Sequence, residues 1–178
     1  MKIQSIYFLV LTLLISVNSF AQDNERKFKI HTLAFYNLEN LFDTINDVNK
    51  NDEASPIMEI KFNRSGIYKQ KITNMAKVIS KIGYEVTKRP PSIIGICEVE
   101  NRKVVEDLIS DEKLKNYNYG IIHYESPDDR GIDVGLIYNK DVFKVKNSNS
   151  HDVFITGNNS SKRRNTRDQL VVSGLLDG

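Results

Sequence analysis

Short apolar runs alternate with polar segments along most of this chain. Residues 30–36 (IHTLAFY) and 92–97 (SIIGIC) are typical of buried strands, because they are short, apolar and rich in aromatic or β-branched side chains. Between them, apolar residues recur at helical spacing over residues 72–82, and Gly83 follows as a stop signal. This order predicts two parallel strands that are joined by a right-handed helical crossover.

The second half of the chain predicts one helix and then several strands. Asn101 is a candidate N-cap for a helix with Val104, Val105, Leu108 and Ile109 on one face. Short strands are predicted at residues 117–124, 132–138, 143–145, 153–156 and 170–176, and residues 43–65 form a long polar loop. Their hairpin-like succession favours antiparallel pairing, so the sequence predicts a mixed α/β domain built in layers.

The strand order also predicts where a site would lie. The first strand is expected to end at Asn37 and the second at Glu98. In parallel neighbours both carboxyl ends lie at one edge of the sheet, where open α/β sheets bind ligands. The pattern therefore brings an amide and a carboxylate to the same edge.

The N-terminal segment, residues 1–21, has the pattern of a secretory signal peptide. Lys2 precedes an almost wholly apolar run over residues 6–17, and residues 19–21 (SFA) place small side chains at a cleavage site. The alternative, a membrane anchor, usually needs about 20 apolar residues. We therefore expect an exported protein, periplasmic or extracellular, whose mature part is residues 22–178.

Composition excludes several classes of function. The chain has 178 residues, enough for one domain, and 25 basic against 23 acidic residues give a net charge of +2. A globally basic nucleic-acid binder is excluded, although a local basic patch is not. The single cysteine, Cys97, excludes an intramolecular disulfide and a cysteine-rich zinc site. Paired zinc-hydrolase histidines, a serine-hydrolase elbow and a phosphate-binding glycine loop are also missing from the sequence.

Asn37 and Glu98 each admit two interpretations from the residues alone. Asn37 either faces a site and orients a ligand, or closes the strand end by bonding nearby backbone. Glu98 directly follows an apolar strand, so burial of its charge would be costly unless a hard cation such as Mg²⁺ compensated it. Alternatively, Glu98 is a solvated side chain in the turn before the next helix.

Two further charged segments are candidates for phosphate binding. Asp133 lies close in sequence to Arg130, and the two residues form either a simple ion pair or a phosphate-positioning pair. Residues 162–168 (KRRNTRD) form the main basic cluster, which could serve a phosphate-bearing substrate. A run of charges is more often a solvated loop, so this cluster alone is weak evidence.

Four motifs follow one another along the chain: residues 35–43 (FYNLENLFD), 93–101 (IIGICEVEN), 123–134 (HYESPDDRGIDV) and 166–178 (TRDQLVVSGLLDG). In this order they resemble the endonuclease/exonuclease/phosphatase superfamily, the deoxyribonuclease I-like metal-dependent phosphodiesterases, and in particular its exported bacterial branch. Each motif is modest alone, but four in order are specific, and together they cover nearly all of the mature chain. The resemblance implies a four-layer α/β sandwich with a site at one edge of its two sheets.

The resemblance also implies roles for individual residues. Asn37 matches the family's pocket asparagine, and Glu98 matches the glutamate that ligates a divalent cation, Mg²⁺ or another such as Mn²⁺ or Ca²⁺. Arg167 corresponds to an arginine near the substrate phosphate, while Arg130 and Asp133 match the branch pattern. The implied partner is a phosphodiester substrate, possibly a nucleic acid, and the implied activity is its hydrolysis.

The family pattern extends beyond these 178 residues. Its later Asp-x-Asn and Ser-Asp-His motifs supply the general base and the leaving-group stabiliser. We therefore expect residues 22–178 to be the N-terminal part of one domain, inactive without the remainder. The alternative from another class is an exported binding module that keeps the family's sheet without catalysis.

Overall fold

The main sheet contains four strands in the order β1-β2-β4-β3. They are β1 (Leu33–Leu41), β2 (Ile93–Val99), β3 (Tyr119–His123) and β4 (Asp133–Asn139). β1 pairs with β2 in parallel, and the other two pairings are antiparallel, which confirms both pairing predictions. This computed structural model describes residues 28–48, 50, 52–53, 55–156 and 162–178, so the predicted signal peptide, residues 1–21, lies outside the described residues.

The described residues form three helices. They are α1 (Arg64–Ile79), α2 (Tyr84–Thr87) and α3 (Arg102–Ile109). The first begins before the predicted residues 72–82, the short second one was not predicted, and the third matches the predicted helix after Asn101. Gly83 adopts φ +71°, a left-handed conformation that glycine tolerates, at the predicted stop between α1 and α2. The predicted cap of α3 is confirmed, because Oδ1 of Asn101 accepts a hydrogen bond of 3.0 Å from Val104 N.

The core lies between this sheet and the helices. Ile94 and Ile96 of β2 are fully buried there, together with Ala76 and Ile79 of α1 and Leu108 of α3. Helix α1 is the crossover between β1 and β2, and its apolar stripe covers the sheet. The helix-covered sheet therefore forms a rigid platform whose strand ends can hold functional groups.

A second, two-stranded sheet pairs β5 (Phe143–His151) with β8 (Gln169–Leu176), and β6 (Ile155–Thr156) pairs with β7 (Arg163–Arg164). β5 is longer than the predicted 143–145 segment. Residues 146–151 (KNSNSH) lack an apolar pattern because that part of the strand is largely exposed. The combination of mixed sheets and helices confirms the predicted α/β fold class.

The regular pairing of β1 and β2 is interrupted close to the predicted strand ends. Asn37 lies opposite Cys97, and the next pair is Leu41 with Val99, so the register shifts between them. Within the shift, Glu39 and Glu98 have φ of 50° and 62°. β1 therefore continues beyond the predicted end at Asn37, but its ladder becomes irregular at that residue and re-aims the following side chains.

Among the described residues, none of the helices combines the length and the apolar character that crossing a bilayer requires.

Candidate functional site

All four strands of the main sheet bring a polar side chain to the same edge. Asn37 and Glu98 come from the carboxyl-terminal parts of β1 and β2, Asp133 begins β4, and His123 ends β3. Because β4 runs antiparallel to both β2 and β3, its first residue lies beside the end of each neighbour. The edge predicted from Asn37 and Glu98 therefore extends across the whole sheet.

Glu98 occupies this edge in a strained backbone conformation. A left-handed φ is uncommon for a residue with a side chain and costs about 1 kcal/mol. The conformation follows from the register shift between Cys97 and Val99. Its side chain is 19% exposed, and Oε1 lies 3.6 Å from Nη1 of Arg167. The carboxylate is thus partly open to solvent and faces a guanidinium from outside the sheet.

Asp128 contacts two arginines close to this carboxylate. Its Oδ1 and Oδ2 accept hydrogen bonds from Arg130 Nε (3.1 Å) and Nη2 (3.2 Å), and Oδ2 lies 3.9 Å from Arg167 Nε. We call Glu98, Asp128, Arg130 and Arg167 the Glu98 cluster. Among the described residues, the guanidinium of Arg167 has no hydrogen-bond partner and approaches only these two carboxylates.

The charges of the Glu98 cluster stabilise one another. Burial opposes ionisation of Asp128, but hydrogen bonds from Arg130 outweigh it, so the pKa of Asp128 is lowered. The same hydrogen bond raises the pKa of Arg130. Nearby, burial lowers the pKa of Lys71, whose Nζ donates to the backbone oxygens of Glu39 and Asn40 and lies within electrostatic range of Glu98. The edge around Glu98 is therefore rich in cations.

Asn37 makes the local contact that its second interpretation anticipated. Its Oδ1 accepts a hydrogen bond of 2.7 Å from Glu39 N. This contact closes the irregular part of β1. The Asn37 side chain lies at the exposed edge, and its amide oxygen retains a second lone pair.

A second polar group forms around His123. Nε2 of His123 lies 3.2 Å from Oδ2 of Asp133, and both side chains are almost fully buried. Lys50 Nζ contacts the Glu125 carboxylate and lies 3.9 Å from the same Asp133 oxygen. We call His123, Glu125, Asp133 and Lys50 the His123 cluster. No hydrogen bond or ion pair between described residues joins it to the Glu98 cluster.

The suggested ion pair between Arg130 and Asp133 is wrong. Asp128 accepts from both the backbone and the side chain of Arg130, which turns the guanidinium away from Asp133. Oδ1 of Asp133 instead accepts from Ser126 N (2.7 Å) and Ser126 Oγ (2.6 Å). Asp133 thus shares the edge with Glu98 but does not join the arginines.

Glu100 lies beside Lys50 and is 1% exposed. Its Oε2 accepts from Asp43 N at 2.8 Å, and its backbone oxygen accepts from Lys50 Nζ. Burial raises the pKa of Glu100 to about 7, and the nearby carboxyls of Asp43 and Asp52 add to the shift. Glu100 therefore has a structural place in this fold and is not a solvated side chain.

Sequence reasoning did not single out Asp128, Lys71, Lys50 or His123 for these positions. Asp128 and His123 belong to the third family-like motif, and this motif could have identified them as candidate site residues. Lys71 and Lys50 lie in a helix and a polar loop with no distinguishing pattern. Within the basic cluster at 162–168, Arg163 pairs with Asp152 and lies over the Phe154 ring.

The donor set at Glu98 is compatible with a hard divalent cation. Glu98 offers a partly exposed carboxylate, and Asn37 offers an amide oxygen on the adjacent strand. Oxygen ligands of these types suit Mg²⁺, which is commonly bound through one or two carboxylates and several waters. The residues present therefore fit such an ion in chemical type.

Comparison with known proteins gives a match over most of the chain. The sequence model of the Endonuclease/Exonuclease/phosphatase family matches residues 32–178. No match to a curated protein was found.

Two solved structures are similar to this chain. ANGEL2, described as a 2',3'-cyclic phosphatase, shares 12% identity at a TM-score of 0.46, with 82% of this chain and 37% of that chain covered. An endonuclease/exonuclease/phosphatase protein from Bacteroides vulgatus shares 20% identity at a TM-score of 0.36, with coverages of 66% and 34%. The chain thus spans little more than a third of the length of either structure.

Proposed function

The chain belongs to the endonuclease/exonuclease/phosphatase family, and on that premise we propose that its parent protein hydrolyses phosphodiesters with a divalent cation. In this proposal the Glu98 cluster binds the phosphate group and contributes to the metal site. The groups that activate water and stabilise the leaving oxygen are supplied outside these 178 residues. The chain alone is then expected to bind without turnover.

The observation that carries the proposal is the position of the Arg167 guanidinium. It is held between Glu98 (3.6 Å) and Asp128 (3.9 Å), at distances too long for hydrogen bonds. Its planar fork of donors matches the oxygens of a phosphate group. Arg130, fixed by Asp128 but with a side chain 58% exposed, adds a second positive charge beside it.

Glu98 and Asn37 are the residues that would hold the cation. A divalent ion bound there would withdraw negative charge from a phosphate oxygen. Arg167 would orient the phosphate by hydrogen bonds to its remaining oxygens. Asp128 keeps both arginines in place through its ionised carboxyl.

The test is hydrolysis of bis(p-nitrophenyl) phosphate by the native polypeptide that carries this sequence, with Mg²⁺ or with EDTA. We expect EDTA to abolish turnover and Glu98→Gln to lower kcat/KM on the order of 100-fold, since a charge-stabilising group is lost. Glu39→Gln is the matched control, because Glu39 lies on the same edge in a similar left-handed conformation. That variant should retain nearly full activity.

Three results would count against the proposal. Turnover that persists in EDTA or in Glu98→Gln would remove the cation and its ligand from the reaction. A native polypeptide that binds phosphate but hydrolyses no phosphoester would favour the exported binding module. Mg²⁺-dependent turnover by the 178-residue chain itself would contradict the expected need for the remaining motifs.

Export is a separate proposal that rests on the sequence of residues 1–21. It is supported by the charged start, the apolar run and the small residues before Gln22. Mass spectrometry of the protein recovered from the cell envelope or medium tests it directly. A mature N-terminus at Gln22 is expected, and an intact Met1 on the recovered protein would contradict it.

A further inference from the structure

The His123 cluster has the composition of a transition-metal site. One ligand atom from each of His123, Glu125 and Asp133 lies within 4.8 Å of the other two. An imidazole nitrogen combined with carboxylate oxygens is a donor set that Zn²⁺ and related ions accept, whereas Mg²⁺ prefers oxygen alone. The chemistry of this group therefore differs from that at Glu98.

Two of these atoms are buried without a hydrogen-bond partner among the described residues. They are Nε2 of His123 and Oδ2 of Asp133, whose side chains are 3% and 2% exposed. The two atoms contact each other without the geometry of a hydrogen bond, and native structures rarely leave buried polar atoms in that state without a reason. A shared metal ion would satisfy both at once.

The spacing of the two atoms agrees with joint coordination. They are 3.2 Å apart. Bonds of about 2.0 Å to a tetrahedral Zn²⁺ place neighbouring ligand atoms about 3.3 Å apart. The other oxygen of Asp133 is fixed by Ser126, so the carboxylate is held in this orientation by a second layer of hydrogen bonds.

The local charge also favours a cation. Lys50 is the basic residue of the cluster, and it contacts Glu125 and approaches Asp133. The carboxyls of Asp43 and Asp52 lie close enough to Glu100 to act on it electrostatically, as does Lys50. Carboxyl groups are therefore concentrated near Lys50 in the described part of the fold.

We propose that His123, Glu125 and Asp133 form a binding site for Zn²⁺ or a similar transition-metal ion, and that the Lys50 ammonium competes with the ion for Glu125 and Asp133. The site is separate from the Glu98 cluster, and it does not depend on the proposed hydrolysis. Lys50 would set the affinity, because its charge must move away from the carboxylates before the ion binds.

The test is calorimetric titration of the full 178-residue chain with Zn²⁺, compared across variants. Glu125→Gln should weaken binding about tenfold or more, and it should fold normally since Glu125 is 59% exposed. Lys50→Met should tighten binding about tenfold, because it removes the competing cation. Glu112→Gln is the matched control and should leave the affinity unchanged, because that side chain is 82% exposed, pairs with Lys115 and belongs to neither cluster.

Spectroscopy with Co²⁺ as the probe identifies the nitrogen ligand. Intense visible d–d bands are expected from a four-coordinate site and should disappear in His123→Gln, with circular dichroism checking that the variant folds. Unchanged Zn²⁺ affinity in both Glu125→Gln and Lys50→Met would overturn the proposal. Loss of binding in Glu98→Gln would also overturn it, by moving the ion to the other cluster.

Discussion

The Glu98 cluster and the His123 cluster share one edge of one sheet, but the charged side chains at their centres differ in exposure. The side chains of Glu98 and Arg167 are 19% and 28% exposed, whereas those of His123 and Asp133 are 3% and 2% exposed. Among the described residues, the Arg167 guanidinium has no hydrogen-bond partner, and Nε2 of His123 and Oδ2 of Asp133 are buried without one. The same strand ends therefore supply both a partly exposed carboxylate–guanidinium pair and a buried histidine–carboxylate pair.

This difference shows that solvent access decides whether a charged group is available for binding or is part of the folded structure. A partly exposed carboxylate between arginines costs little to keep and can exchange its partners for a ligand. A buried carboxylate must be fully compensated, so its partners become part of the folded structure. Substitutions should accordingly affect binding at the Glu98 cluster and stability at the His123 cluster.

The largest stability effect is expected from Asp133→Ala. This change removes the acceptor of both Ser126 hydrogen bonds. It also leaves the buried His123 imidazole without its carboxylate neighbour. We expect a loss of about 2–4 kcal/mol in the free energy of unfolding, measured by urea denaturation. Glu98→Gln should change this free energy by less than about 1 kcal/mol. Equal losses in the two variants would show that the two clusters contribute alike to stability.

An intermediate effect is expected at Arg167. Arg167→Gln should weaken the binding of inorganic phosphate about tenfold, because a planar charged donor group is lost. Arg163→Gln is the matched control, since Arg163 pairs with Asp152 away from Glu98. Titration calorimetry of both variants measures the effect, and a similar loss in each would reduce Arg167 to one of several interchangeable surface charges.

The smallest effect concerns the pH dependence of Asp128. Its pKa in the folded state is lowered, so its contribution to stability is fully present above the unfolded value of about 3.9. The contribution is lost as the pH falls below that value and through the lowered pKa of the folded state.

Asp128→Asn should therefore cost about 1 kcal/mol at pH 6 and less at pH 2.5, because the charged hydrogen bonds to Arg130 contribute only when Asp128 is ionised. Urea denaturation at the two pH values measures this difference. An equal loss of unfolding free energy at both pH values would show that the effect comes from packing and not from the charge of Asp128.

The sequence predicted the edge around Glu98 because its determinants are local. Two apolar runs and a crossover helix specify parallel strands, and parallel strands specify which ends meet. The cap at Asn101 was predictable for the same reason, since the side chain bonds a backbone group three residues away.

The His123 cluster was not predictable, because its contacts join distant parts of the chain. Lys50 reaches the backbone of Glu100, 50 residues away, from a polar loop without periodicity. The suggested ion pair between Arg130 and Asp133 was wrong for a different reason. Asp128 Oδ1 accepts a hydrogen bond from the backbone N of Arg130, two residues later in the chain. This local turn contact holds Arg130 beside Asp128 and not beside Asp133.

We expect the cation of the proposed hydrolysis to bind to the oxygen ligands of the Glu98 cluster and not to the His123 cluster. Mn²⁺ broadening of the ¹H–¹⁵N NMR spectrum tests it directly, using the Glu125→Gln chain to weaken the second site. We expect selective broadening of the amides of Asn37, Glu98 and Arg167 that Mg²⁺ reverses and that Glu98→Gln abolishes. Broadening that remains in the Glu98→Gln chain, or that avoids this edge, would contradict it.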